Sequence, residues 1–136
     1  MSGSTARVLA SSWKTQPIRK PATAAWKVRV SPPSVAKLLH GFCPEQMEDK
    51  WFCYADGPDA HGNVAVHLCR SWTGAERSVL KLRVGLDAAG AVDGGAAADI
   101  THITWEAQDG QAEAQAKEEA GRVCAAILGC DELREG

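Results

Sequence analysis

Apolar and polar positions alternate with a period of two through four stretches of the chain. Trp26, Val28 and Val30 share one phase, opposite Lys27 and Arg29. Val64, Val66, Leu68 and Trp72 share a phase, opposite Ala65, His67, Cys69 and Ser71. Leu80, Leu82, Val84 and Leu86 alternate with Lys81, Arg83 and Gly85, and Ile103 and Trp105 alternate with His102, Thr104 and Glu106. A two-residue period predicts strands with one buried face. The unbroken apolar run Trp51-Phe52-Cys53-Tyr54 predicts a strand covered on both faces.

Two segments carry a helical period instead. Ser31-Pro32-Pro33-Ser34 followed by Val35, Leu38 and Leu39 predicts a short capped helix ending at Gly41. From Gln111 to Leu128 the chain is rich in Ala, Glu and Gln. Ala116, Ala120, Val123, Cys124, Ile127 and Leu128 form one apolar stripe there, with Gly129 placed to end the helix.

The order is strand, helix, four strands, helix. Short connections between consecutive strands favour antiparallel pairing. The expected fold class is α+β: a single, mainly antiparallel sheet of about five strands with two helices packed on one face. Asp56–Asn63 and Asp87–Ala98 read as loops. Residues 1–24, polar and irregular with Pro17 and Pro21, read as a flexible N-terminal arm, and 25–136 as the domain.

Composition narrows the function. The 136 residues fit one core, with 45% hydrophobic and 24% charged residues in the ordinary globular range. A net charge of −2 supplies no overall field for nucleic acid or an acidic membrane, so neither is an expected partner. No apolar run approaches the roughly 18 residues of a membrane span. The N-terminus has no apolar signal core. Its basic, Ser/Thr-rich composition suits a disordered tail, and a mitochondrial transit peptide shares it. Five cysteines without a C-x-x-C pair read as reduced thiols in a cytoplasmic protein.

If the apolar phase faces the helices, the other sheet face carries Lys27, Arg29, His67, Cys69, Ser71, Lys81, Arg83, His102, Thr104 and Glu106. That is a basic face on a near-neutral protein. It reads as an ordinary solvated face or as a site for an anion, with Lys81 and Arg83 as ligand contacts.

The densest feature is Arg70-Ser71-Trp72-Thr73-Gly74. By phase Arg70 points to the core side, where it needs a carboxylate such as Glu48, Asp49, Asp56 or Glu106. It reads as a structural ion pair, or as a guanidinium held to grip a carboxylate or phosphate together with Ser71, Trp72, Thr73 and Lys50. The Thr73-Gly74 turn would offer backbone N–H groups to the same anion. Glu48 and Asp49 read as solvated charges at the start of a strand or as an acid–base pair. His67 and Cys69 lie two residues apart and share a face. They suit core residues, a histidine-activated thiol, or metal ligands completed by His102. No P-loop, G-x-S-x-G, G-x-G-x-x-G or H-E-x-x-H occurs.

Glu48-Asp49-Lys50-Trp51-Phe52, His67-Leu68-Cys69-Arg70-Ser71-Trp72-Thr73-Gly74 and Ile103-Thr104-Trp105-Glu106 together resemble a family of small uncharacterised bacterial and fungal proteins. The resemblance spans roughly residues 42–106. It implies an association with ADP-ribosylglycohydrolase-type proteins and no particular activity. Relatives typically carry histidine where this chain has Cys69. If that histidine is catalytic in them, this chain is altered there and His67 is the nearest remaining imidazole.

Three functions follow as expectations. One is a module that binds an anionic small molecule, a nucleotide or ADP-ribose-like group, on the basic face. Another is a small enzyme with His67 or His102 as base and Glu106 or Asp49 as acid. The third is a protein-interaction or regulatory module. No cofactor and no metal site is implied.

Overall fold

The computed structural model describes Val8 and residues 13–108, 110–130 and 133. The elements run β1 (Pro21–Val30), α1 (Pro32–His40), β2 (Trp51–Asp56), β3 (Asn63–Arg70), β4 (Glu76–Arg83), β5 (Ala98–Glu106) and α2 (Glu113–Val123). A π-helical turn, Cys124–Leu128, extends α2. The fold is α+β. One five-stranded sheet has the order β1-β5-β4-β3-β2, and every neighbouring pair is antiparallel. Strands β2 to β5 form a meander. α1 carries the chain from β1 at one edge to β2 at the other.

The core follows the two periodicities. Trp26, Val28 and Val30 of β1, Val64, Val66 and Leu68 of β3, Leu80 and Leu82 of β4, and Ile103 and Trp105 of β5 are buried in one cluster. The helices close it with Val35 and Leu38 of α1 and Ala116, Ala120, Val123, Cys124 and Leu128 of the C-terminal helix. Both helices therefore pack on one face. Gly129 ends the π turn in the left-handed conformation. Pro32 opens α1, and Ser31 contributes its carbonyl to Val35 N–H instead of a hydroxyl cap. Among the described residues no helix is long and apolar enough to cross a membrane.

β2 is covered on both faces because of a second, smaller cluster. Phe52, Tyr54 and Cys69 are buried on the sheet face away from the helices, packed against Val8, Trp13 and Cys43. Trp13 stacks on Phe52 with ring centroids 6.1 Å apart. Its indole N–H donates to the Ser71 carbonyl at 2.9 Å. Gln16 then bridges to the β3–β4 turn, donating to Gly74 and accepting from Glu76. Gly74 has φ +72°, and a Cβ there would stand 2.5 Å from the Lys14 carbonyl oxygen, so the turn needs glycine to admit this segment.

β1 begins at Pro21, inside the 1–24 segment expected as a flexible arm. Pro21–Ala24 belong to β1, Trp13 and Gln16 bond to Ser71, Gly74 and Glu76, and the Arg19 and Lys20 N–H groups donate to Glu106. The remainder of the expected arm, residues 1–7 and 9–12, lies outside the described residues.

Arg70 and Trp72 also depart from their predicted phase. β3 ends at Arg70, so alternation no longer assigns the faces beyond it. Arg70 is exposed, and its guanidinium lies 5.2 Å from the Trp51 ring centroid instead of seeking a carboxylate in the core. Trp72 is 72% exposed.

Candidate functional site

Strand register divides the open sheet face. Tyr54, His67, Val79, Thr104 and Thr23 form one row across the five strands, and Asp56, Ala65, Lys81, His102 and Ala25 form the next. His67 and His102 are thus two strands and two residues apart. With strand spacing near 4.8 Å and a rise of about 3.4 Å per residue, their Cα atoms lie roughly 12 Å apart. They do not form a pair.

The row opens into a groove of about 810 Å³ whose lining includes Thr23, Asp59, Asn63, Lys81, Arg83, Thr101, His102 and Thr104. Thr23 and Thr104 share a hydroxyl hydrogen bond of 2.8 Å across β1 and β5. His102 Nδ1 lies 3.0 Å from the Thr101 hydroxyl. A β-bulge places that residue, since Lys81 pairs His102 while Leu82 pairs Ile100, leaving Thr101 as the extra residue.

Lys81 and Arg83 share the groove with one carboxylate, that of Asp59. Lys81 and Arg83 have no acidic partner among the described residues. The neighbouring acid Asp99 is taken by Arg29 at 2.8 Å. Asp59 is occupied by its own turn. The Asn63 backbone N–H, the Asn63 side-chain amide and the His61 N–H hold its carboxyl down at about 2.

His67 belongs to a separate, closed cluster. Its ring stacks on Tyr54 at 4.4 Å and 5°. Nδ1 meets Glu76 Oε2 at 2.5 Å. Nε2 lies 3.1 Å from Asp56 Oδ2 without the alignment of a hydrogen bond. Cys69, two residues along β3, is fully buried. Burial and then the Glu76 charge push its thiol up to about 12. A thiol that keeps its proton so firmly is a poor nucleophile. Among the described residues no three His, Cys, Asp or Glu side chains gather to hold a metal ion.

The other sequence candidates occupy structural posts. Asp49 Oδ2 accepts the Glu45 and Gln46 backbone N–H groups at 3.0 and 3.2 Å. Lys50 is exposed, and its carbonyl accepts Ser71 N–H. The buried Ser71 donates its hydroxyl to the Asp49 carbonyl at 2.6 Å. Thr73 Oγ1 accepts Ala75 N–H, and Gly74 N–H goes to the Arg70 carbonyl, so these two turn donors are satisfied internally. Glu106 accepts the backbone N–H groups of Arg19, Lys20 and Gln108, led by Arg19, and they draw its carboxyl below the usual range.

The structure therefore gathers Lys81, Arg83 and His102 and leaves His67, Asp49, Glu106 and the Arg70–Thr73 block elsewhere. Sequence reasoning missed Thr23, Thr101 and Asn63 in the groove. Thr23 fell in the expected arm, Thr101 depends on the bulge, and Asn63 was assigned to a loop. No protein-family model, no curated protein and no solved structure matches this chain.

Proposed function

We propose that this domain binds an anionic small molecule in the groove of Lys81, Arg83 and His102. One observation carries the reading: two cationic side chains and an imidazole line a single depression with one carboxylate, Asp59, while the neighbouring Asp99 is paired with Arg29. Two free cations with hydroxyls beside them suit phosphate oxygens, which accept both charge-assisted and hydroxyl hydrogen bonds. The Thr23, Thr101 and Thr104 hydroxyls and the Asn63 amide suit the sugar of a nucleotide or ADP-ribose-like molecule. Five cysteines held as thiols are in keeping with a reducing, cytoplasmic setting.

Calorimetric titration with ADP-ribose, AMP and inorganic phosphate tests the reading, with Lys81→Ala and Arg83→Ala as variants. Each lost charge-assisted bond is worth about 1.5–3 kcal/mol, so each variant should bind at least about tenfold more weakly. Absence of heat at millimolar ligand, or unchanged affinity in the double variant, would overturn it. A cofactor-independent enzyme built on His67, His102, Glu106 and Asp49 draws less support, because those groups occupy separate settings. A protein-interaction role draws on the exposure of Trp72 and Met47.

A further inference from the structure

A second groove has the opposite character. Met47 and Trp72, the two large apolar side chains most open to solvent among the described residues, are neighbours. They are 79% and 72% exposed, and Trp72 Nε1 donates to the Met47 carbonyl at 3.0 Å. With Trp13, Pro44, Glu45 and Asp49 they line a groove of about 480 Å³. Both indoles are tethered by their N–H edges, Trp72 to Met47 and Trp13 to Ser71. Edge tethering fixes the rings and leaves the faces of Trp72 open to a ligand.

Among the described residues the lining carries two carboxylates and no Lys, Arg or His. Asp49 is taken by the Glu45 and Gln46 N–H groups. Glu45 has no cationic partner among the described residues. Indole faces are electron-rich and attract a cation, and a neighbouring carboxylate adds to that attraction. Methyl groups around a cation match Trp and Met, which a metal ion seeking six or more oxygens does not.

We propose that this groove binds a methylated ammonium group. The same chemistry occurs in choline-type molecules and in the trimethyl-lysine side chain of a protein. Titration calorimetry on the full chain would use choline, trimethyl-lysine and the neutral tert-butyl analogue of choline. Both cations should bind, with the neutral analogue weaker by about two- to fivefold. Trp72→Ala and Glu45→Gln should each weaken choline binding by a similar factor. If Trp72→Ala fails to fold, Glu45→Gln decides, since that side chain is exposed. Tighter binding of choline or of trimethyl-lysine identifies the source, and either supports the proposal. Equal affinity for the neutral analogue, no heat at millimolar cation, or full affinity in Glu45→Gln would overturn it.

Discussion

Replacing Phe52 by alanine probes the second cluster, on which both the β2 fold and the docking of the N-terminal segment depend. Phe52 is fully buried, with the Tyr54 ring 5.4 Å and the Trp13 ring 6.1 Å away between centroids. Removing the ring forfeits about 1.5–3 kcal/mol of burial and about 0.5–1.5 kcal/mol for each aromatic contact. The expected cost is roughly 3–5 kcal/mol, the range for buried Phe→Ala. An ordinary stability of about 5–15 kcal/mol leaves room to measure that loss in a folded variant. Urea denaturation followed by far-ultraviolet circular dichroism would read it. Trp13→Ala and the double variant complete a cycle, with a coupling of about 1 kcal/mol expected for touching rings. A cost below about 1 kcal/mol would mean that Phe52 is not sealed in a packed cluster. A full cost with an additive double variant would mean that Trp13 does not lie on it.

Glu106 ties Arg19 and Lys20 to β5, so Glu106→Ala should speed tryptic cleavage after Arg19, read by mass spectrometry; an unchanged rate would refute the tie. Its carboxyl is held below the usual range, so the tie is present at neutral pH and is lost as pH falls through that lowered value. Burial raises the thiols of Cys53, Cys69 and Cys124 above their ordinary value near 9, so the folded chain keeps protons that the unfolded chain releases. Stability should therefore fall as pH rises above about 9, by up to about 1.4 kcal/mol per pH unit for each such thiol, and urea midpoints that stay level to pH 10 would refute this. Alkylation of the native protein should mark Cys43, the one cysteine that is not fully buried, well before the others.

Local pattern carried most of the architecture. The period-two runs at Trp26–Val30, Val64–Leu68 and Leu80–Leu82 marked core strands, because a pleated strand buries alternate residues against a single helical layer. The Ala116–Leu128 stripe and Gly129 marked the closing helix for the same kind of reason. Pattern failed where an element ended or a bulge shifted the register, as at Arg70, Trp72 and Thr101.

The candidate grooves depend on what the sequence could not hold. Strand order separates His67 from His102 by the whole of β4, and no local signal encodes which strands are neighbours. Glu76 meets His67 only through the irregular β3–β4 pairing, and Trp13 reaches Phe52 across 39 residues of chain. The sequence by itself determined which residues bury and which elements they build, because burial follows a period of a few residues. Tertiary structure alone decided which charges meet and which acids are already taken, because those depend on contacts between residues far apart in the chain.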